Sequence, residues 1–497
     1  MSTQNSYRQI FKATSIYGGV QVIVILVAIV RSKFIAVLLG PSGMGVVTLI
    51  TATMGIIRNA TEFGLGTSAV KSIAAAHSTG DATRIGTVIA VLRRWVWITG
   101  LAAFALAVII SPWLSRLTFG NDNYTVAFML VAVTLLLTQI SDGQSALLQG
   151  TRQTKYLART TLYGSLLGLF ISIPLYYAFG EGGIVPAIIL SAASVLLLNW
   201  FFAAKVPVAR VKVDKATMLH DGKKMLSLGF ILSLGWLVSS CTSYIIRVFI
   251  NKQGNIADVG LYNAGLTIVG TYVGLVFTSM GTDYYPRLSA VADDRKKLNR
   301  EVNHQTEIAL LILAPMLAAF IVYANFGIII LYTKEFLQIN TMIQWSALGI
   351  FFKTVSWTIG FVFLAKGASK IYFWNELISN AYQLILNLAG YYYLGMTGLG
   401  ISYLAGFILY FIQVFILANR FYSFYFSRSF YKIFLVQLSI AIASFILISY
   451  TRNIYTYIAC SCIILFSVLF SLKELNTRMG LSAIIRERLS GKKTGES

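Results

Sequence analysis

The chain has 497 residues, of which 57% are hydrophobic and only 12% are charged, and its formal net charge is +22. A mean hydropathy of +0.73 excludes a soluble globular protein, because so much apolar surface has to be covered by lipid. The net charge by itself suggests nucleic-acid binding, but that class of protein gathers its basic residues on one face, whereas here they are distributed among short loops. The composition therefore predicts a polytopic membrane protein that does not bind nucleic acid.

Apolar runs of about 20 residues recur from end to end, and each can cross a hydrocarbon core about 30 Å thick. We predict an all-α polytopic membrane protein with about 14 transmembrane helices. The predicted spans lie near 15–39, 43–66, 91–111, 124–148, 160–178, 184–204, 227–250, 260–284, 308–331, 338–364, 371–393, 397–419, 433–450 and 453–472. The first run continues to Leu39 without a signal-peptide cleavage site, so we expect this span to be retained.

The basic residues divide unequally between the two sides of the membrane. Of the 40 lysines and arginines, 31 fall on one side and 4 on the other, so the positive-inside rule places both termini in the cytoplasm. The remaining five lie inside predicted spans, and they are Arg31, Lys33, Arg58, Arg247 and Lys353. A cation at the centre of a lipid-facing helix costs about 2.5–3.5 kcal/mol. These five cations therefore predict a bundle interior or an aqueous cavity that attracts an anion.

Two lobes are predicted from an internal repeat around the polar segment 205–226. Matching residues on its two sides lie 215 or 216 positions apart, in the same order, which indicates a parallel repeat with a substrate site between the halves. The pairs are Arg31 with Arg247, Gly45 with Gly260 and Lys71 with Arg287. Chance similarity between apolar helices is the alternative. The expected parts are an N-terminal lobe (1–204, helices 1–6), a cytoplasmic linker (205–226), a C-terminal lobe (227–420, helices 7–12), helices 13 and 14 (421–472) and a basic cytoplasmic tail (473–497).

The five intramembrane cations have competing interpretations. Arg31, Lys33 and Arg247 lie in the outer parts of their spans, where they face either a central cleft or lipid headgroups at the outer interface. Arg58 has Glu62 one turn further along the same helix and can be partly neutralised by it. Lys353 lies near the membrane midplane, too deep to reach either surface easily, so it is the strongest candidate for a binding role.

Polar side chains within the spans are candidate contacts for sugar hydroxyl groups. The set is Gln139, Gln144, Trp357, Asn380 and Gln383, and hydrogen bonding between helices is the alternative role for the amides. The sequence shows no metal-ligand spacing, because its three cysteines fall in apolar runs and its three histidines are far apart. The segment GPSGMG joins two membrane helices and lacks the lysine of a phosphate-binding loop. We predict a protein that is not an enzyme and has no metal or cofactor.

Several helix ends carry a family resemblance. The segments are FIAVLLGPSGMGVVTLI, FGLGTSAVKSIA, LLQGTRQTKYLA, YYPRLSA, LAKGASKIYFWN and GMTGLGISYLAG. With fourteen spans, the chain resembles the bacterial O-antigen (Wzx-type) flippases of the multidrug/oligosaccharidyl-lipid/polysaccharide (MOP) exporter superfamily. These segments lie at turns and helix ends, and the resemblance does not depend on catalytic or binding residues.

This resemblance implies a flippase in the bacterial inner membrane that moves undecaprenyl-diphosphate-linked oligosaccharide, an O-antigen or other surface polysaccharide unit, by alternating access. The diphosphate matches the cationic residues, since arginine binds phosphate oxygens in bidentate fashion. Family analogy also implies coupling to H⁺ or Na⁺, with Glu62 or Asp142 as the carboxylate, and polysaccharide polymerase machinery as a partner. Two alternatives remain, a multidrug or organic-cation antiporter of the same superfamily and a membrane-embedded polysaccharide polymerase or ligase.

Overall fold

The computed structural model describes residues 3–209, 211–451 and 453–479. Within these ranges the side chains of 3–18, 228, 231–232, 271–273, 275, 278, 282 and 479 are not described. Helices joined by short turns make up these ranges, which contain no strand. The predicted basic tail, from residue 480 onward, lies outside the described residues.

Fourteen α-helices follow one another in the described chain. They are α1 (Thr3–Glu62), α2 (Leu65–Ser78), α3 (Ala82–Phe119), α4 (Thr125–Val131), α5 (Val133–Gly150), α6 (Thr154–Phe179), α7 (Ile184–Ala203), α8 (Lys215–Gln253), α9 (Ile256–Ala290), α10 (Arg295–Leu331), α11 (Asn340–Ala365), α12 (Ser369–Tyr422), α13 (Arg428–Tyr450) and α14 (Ile454–Met479). Short 3₁₀ turns at Gly180–Gly183 and Lys334–Ile339 precede α7 and α11.

These helices contain the predicted spans, although helices and spans do not correspond one to one. Ten segments of the described chain are long and apolar enough to cross a membrane, and three of them, of 44, 50 and 54 residues, are long enough for two spans each. The predicted span 260–284 lies within α9, and the span 124–148 is formed by α4 and α5 together. The predicted all-α membrane fold is confirmed.

Two glycines, one in α1 and one in α12, each lie between two predicted spans that follow each other without a loop. Gly40 in α1 has φ 65° and Gly395 in α12 has φ 57°, a left-handed conformation that side chains disfavour. On either side of Gly395, the backbones of Gly390 and Gly398 approach so closely that a Cβ on Gly398 would lie 1.8 Å from the Gly390 carbonyl oxygen. The two limbs of α12 are therefore packed side by side as a hairpin.

The described chain divides into two compact units, and the first contains the residues up to Leu261 together with Leu331–Glu335. Within it, α5 packs against α2, α3 and α7, while α6 packs against α1 and α7. Helix α8 packs against α1, α2 and α3. The first unit thus extends past residue 204, where the predicted N-terminal lobe ends, and the lobe repeat stays a prediction.

The predicted linker 205–226 packs against helices of the first unit. A buried apolar cluster joins residues of α2, α3, α5 and α7 to Val213 in the linker and Met225 in α8. Gly86 of α3 leaves room for the linker backbone, since a Cβ there would lie 2.5 Å from the carbonyl oxygen of Ala209. Arg94 Nη1 donates a hydrogen bond to the Val213 carbonyl oxygen at 3.0 Å. The beginning of α8 is therefore anchored to α3.

The second unit holds Tyr262–Ile330 and the described residues from Phe336 onward. Helix α11 packs along α12 and also contacts α13, which pairs with α14. A polar stripe on α10, spaced four residues apart, binds the segment 423–427 between α12 and α13. The stripe consists of Asn299, Asn303 and Glu307. Arg478 of α14 forms an ion pair with Glu307 at 3.0 Å, so α10 fixes both ends of the α13–α14 pair.

Candidate functional site

Arg31 lies within the first unit, where α1 meets α6 and α7. Its Nη1 atom is 3.8 Å from the position that a Cβ would take on Gly168 of α6, and Ser191 Oγ of α7 is 3.7 Å from the same position. Arg31 Nε and Ser191 Oγ are both buried without a hydrogen-bond partner among the described residues. A buried donor without a partner costs about 1–3 kcal/mol, so this guanidinium retains capacity to bind a ligand or water.

Lys33 has a different environment, although it lies on the same helix. Its Nζ atom donates a hydrogen bond to the carbonyl oxygen of Tyr332, which immediately follows the last residue of α10. A cation at the carboxyl end of a helix satisfies carbonyl groups that have no partner within the helix. This contact places Lys33 beside the connection 331–335 of the first unit.

Arg247 lies on α8, in the half that packs against the end of α3. One turn before it, the Tyr244 hydroxyl is 2.7 Å from Thr118 Oγ1, and one turn after it, Asn251 donates to the Thr118 carbonyl oxygen at 2.8 Å. Arg247 itself is half-buried and donates from Nη1 to the Ser243 carbonyl oxygen at 3.2 Å. The described neighbours of Arg31 are on α6 and α7, so the two arginines that the repeat aligns have different surroundings.

Arg58 forms a three-membered ion cluster. The predicted pair with Glu62 is present, with Nε 3.4 Å from the carboxylate, and Asp142 of α5 forms a second ion pair with Nη2. All three side chains are partly accessible, with exposures of 39% for Arg58, 18% for Glu62 and 32% for Asp142. With both acids ionised the cluster carries one net negative charge, so Arg58 contributes no excess positive charge.

Lys353 of α11 is surrounded by aromatic rings in the second unit. Its Nζ lies 5.0 Å from the ring centre of Phe407 and 5.9 Å from that of Tyr403, and it is 3.4 Å from the Tyr403 hydroxyl oxygen. No described carboxylate forms an ion pair with it. Cation–π contacts of this kind contribute about 0.5–2 kcal/mol and leave the charge uncompensated.

Some of the residues predicted to contact sugars are buried between helices, and others are partly accessible. Gln139 is buried and donates to Thr99 Oγ1 at 3.0 Å, Gln144 is buried as well, and Asn380 donates to the Glu376 carbonyl oxygen at 2.8 Å. Gln383 is half-buried against Gly406, and Trp357 packs on Phe277, Tyr284 and Phe361 with ring centres 5.0–6.0 Å away. The bond of Gln139, which joins α5 to α3, favours the alternative role between helices, whereas the Asn380 bond lies within α12 and does not distinguish the two roles.

Sequence reasoning did not identify a polar cluster between the two limbs of α12. The Tyr410 hydroxyl donates to Glu376 Oε1 at 2.8 Å, and Asn375 donates to the Tyr410 oxygen at 3.2 Å. Gln413 donates to Asn375 Oδ1 at 2.9 Å. The partners are 34 to 38 residues apart, and only the hairpin at Gly395 brings them together. No group of three metal-binding side chains is found in the part of the chain that the structure describes.

Solved structures establish which fold this is. The inward closed conformation of the lipid II flippase MurJ superposes with a TM-score of 0.72 at 14% identity, over 93% of this chain and 99% of that one. An inward-facing multidrug resistance MATE family transporter of the MOP superfamily gives a TM-score of 0.69 at 16% identity, over 80% of this chain and 94% of that one. The chain therefore shares the fold of these two proteins, as the sequence predicted.

Sequence relatives point in the same direction. A lipid III flippase of Escherichia coli (strain K12) is 24% identical over 398 residues, 76% of this chain and 91% of the relative. A putative O-antigen transporter of Shigella flexneri is 23% identical over 389 residues, 76% of this chain and 90% of the relative. The family model described as polysaccharide biosynthesis protein matches residues 34–341, which is more than half of the chain. The chain belongs to the polysaccharide biosynthesis protein family.

Proposed function

We propose that this multi-pass membrane protein is a flippase for an undecaprenyl-diphosphate-linked oligosaccharide. It transfers the O-antigen or another surface polysaccharide unit from the cytoplasmic to the outer leaflet of the bacterial inner membrane, with both of its termini in the cytoplasm. The observation that carries the proposal is Lys353, a lysine within a membrane helix whose described neighbours are aromatic rings and no acid. The lipid III flippase and the putative O-antigen transporter among its relatives support the same class of substrate.

In this proposal the cations bind the diphosphate of the substrate. It carries negative charge that a cation in a low-dielectric environment binds more strongly than one in water. Lys353 supplies such a charge in the second unit, and Arg31 supplies a guanidinium with a free Nε donor in the first. Lys33 and Arg247, which bond backbone carbonyl oxygens, are weaker candidates for binding an anion. The polyprenyl tail remains in the lipid, so only the headgroup needs a polar path.

Alternating access explains how the headgroup crosses. Solved structures of MATE family transporters with this fold include inward-facing and outward-facing conformations. In our proposal the headgroup enters from the cytoplasm, binds the cations and leaves on the other side when the protein changes conformation. Aromatic side chains near Lys353, together with Gln383 and Trp357, then contact the sugars.

The cluster of Arg58, Glu62 and Asp142 is proposed to couple this movement to a gradient of H⁺ or Na⁺. Two acids share one guanidinium, and both are partly accessible. Protonation of Asp142, or its binding to Na⁺, removes the excess negative charge and weakens the link between α1 and α5. In this proposal Arg58 positions the acids and does not bind the substrate.

Delivery of surface polysaccharide in a strain lacking this protein tests the function. We expect Lys353→Ala and Arg31→Ala to reach the membrane in normal amounts, to deliver little polysaccharide and to accumulate the lipid-linked precursor inside. Arg116→Gln is the matched control, because Arg116 is an exposed arginine that pairs with Asp122 at 2.7 Å outside the predicted spans. Normal delivery by both test variants would refute the cationic binding site.

The same strains separate this proposal from a multidrug or organic-cation antiporter. If the protein exported organic cations, Lys353→Ala would increase this transport or leave it unchanged. The strain that lacks the protein would then be more sensitive to cationic drugs. We expect drug sensitivity to stay unchanged while polysaccharide delivery fails. Changed drug sensitivity with normal delivery would support the antiporter instead.

A further inference from the structure

A cavity on the first unit combines two arginines with an apolar wall. It has a volume of about 390 Å³ and is lined by Arg93, Arg94, Trp97, Ile98 and Met218. The first four residues belong to α3 and Met218 to the beginning of α8. On α3, each arginine is followed four residues later by an apolar side chain on the same helix face, Trp97 after Arg93 and Ile98 after Arg94.

The positive charge of this cavity is not neutralised by protein. Arg93 is exposed and has no ion pair with a described acid. Arg94 bonds the Val213 carbonyl oxygen and approaches the Met218 sulfur at 3.7 Å, and both of these partners are uncharged. Asp214, an acid of the linker, accepts hydrogen bonds from the backbone of Ala216 and Thr217 as the cap of α8. Two cations therefore remain available at the cavity.

The apolar wall lies next to these charges and is uncovered. Trp97 is 50% exposed and Ile98 is 46% exposed, although both lie in a predicted span. Arg93 and Arg94 lie one turn earlier, at the beginning of this predicted span (91–111), which the charge distribution predicts to be its cytoplasmic end. Tryptophan and arginine in this order are typical of the boundary between acyl chains and headgroups. Basic pockets between helices at the cytoplasmic boundary bind anionic lipid headgroups.

We propose that this cavity binds an anionic phospholipid of the cytoplasmic leaflet. The phosphate accepts hydrogen bonds from Arg93 and from the remaining guanidinium donors of Arg94, and one acyl chain lies along Trp97, Ile98 and Met218. The Trp95 indole of α3 donates a hydrogen bond to the Met218 carbonyl oxygen of α8 at 3.1 Å, so α3 and α8 are already joined beside the cavity. The bound lipid contacts both of these helices. The lipid thereby stabilises the docking of the linker and α8 on α3. This inference does not depend on which substrate the protein transports.

Native mass spectrometry of the full-length protein, with added phosphatidylglycerol or phosphatidylcholine, tests the site. We expect selective retention of phosphatidylglycerol, and Arg93→Gln should weaken it about fivefold, the effect of one basic residue near an anionic lipid surface. Arg93 makes no hydrogen bond to the described protein, so its replacement leaves the fold intact. Lys223→Gln is the control, because Lys223 is an equally exposed cation on α8 outside the cavity.

Three outcomes would overturn the proposal. Equal retention of the two lipids by the unsubstituted protein would show that no anion is recognised. An equal loss in Arg93→Gln and Lys223→Gln would show a general attraction to positive charge rather than this cavity. Displacement of phosphatidylglycerol from the cavity by an equal concentration of undecaprenyl diphosphate would assign it to the translocated lipid. Arg93→Lys should retain most of the affinity, since it preserves the charge and loses only the bidentate geometry of the guanidinium.

Discussion

Arg58 and Lys353 are both cations within predicted membrane spans, yet their surroundings differ. Arg58 is held by two carboxylates from α1 and α5, whereas Lys353 contacts two aromatic rings and a hydroxyl group. Removing Arg58 leaves two acids without a partner. Removing Lys353 leaves only apolar and neutral groups, which lose little in its absence. A cation within the membrane that is paired with protein carboxylates supports the fold, and one without such a partner is available to bind an anion. The partners of the cation indicate this role better than its depth in the membrane does.

The largest effect is expected for Lys353→Ala, on transport. Truncating one member of a desolvated charge pair costs about 2–5 kcal/mol, so polysaccharide delivery should fall at least about 30-fold. Thermal stability of the purified protein should stay equal or rise, because an uncompensated charge has left the membrane. Lys353→Arg should restore part of the delivery. A loss of stability that accompanies the loss of delivery would indicate that Lys353 supports the fold as Arg58 does.

Arg58→Ala is expected to show the opposite pattern, with the main effect on stability. The two carboxylates lose their partner, which should cost about 1–3 kcal/mol for these partly exposed groups. Adding Asp142→Asn should recover part of that loss, since the double variant has one fewer unpaired acid. Melting temperatures of the two single variants and the double variant complete a thermodynamic cycle. Strictly additive effects would show that Arg58 and Asp142 do not stabilise each other.

A smaller effect is expected for Phe407→Leu, which retains apolar volume and removes the ring face. The cation–π contact with the half-buried Lys353 contributes about 0.5–2 kcal/mol, equivalent to about a two- to 30-fold change in substrate affinity. Phe411→Leu on the same limb of α12 is a matched control, because Phe411 packs on Phe352 and Phe434 instead of the lysine. Binding of a lipid-linked oligosaccharide to the purified protein is the measurement. Equal losses in both variants would indicate general packing.

Tyr403→Phe should have the smallest effect. The hydroxyl oxygen lies 3.4 Å from Lys353 Nζ, a long and weak hydrogen bond, and the ring remains in the variant. We expect less than about a threefold change in polysaccharide delivery. A loss as large as that of Lys353→Ala would show that the hydroxyl itself contacts the substrate, and that the environment of Lys353 is more polar than its ring contacts indicate.

Local pattern was sufficient for the helices and for one ion pair. The runs of apolar residues predicted the ten segments that are long and apolar enough to cross a membrane, and the spacing of Arg58 and Glu62 predicted their contact, because four residues make about one helical turn. The same pattern did not predict Asp142 as a third member, since α1 and α5 meet only through tertiary packing. Likewise, Phe407 lies 54 residues after Lys353, and the contact requires α11 to pack along the second limb of α12.

The linker shows the limit of composition. Its polar, charged residues predict a cytoplasmic linker between two lobes, and composition alone does not indicate its packing. In the structure Val213 and Met225 are buried, and Gly86 and Arg94 of α3 contact the linker backbone. A few apolar side chains among many charges are enough to dock a segment when a complementary surface is present. That surface is built from α2, α3, α5 and α7, which are distant in sequence.

The sequence by itself determined that the chain is helical and membrane-embedded, because those properties depend on local hydrophobicity and on the satisfaction of backbone hydrogen bonds within each helix. It also identified which spans contain charge. Only the tertiary structure decided which of these charges are paired, since pairing depends on distances between helices that packing sets. The sequence paired Arg58 with Glu62, and packing added Asp142 to Arg58 and the rings of Phe407 and Tyr403 to Lys353.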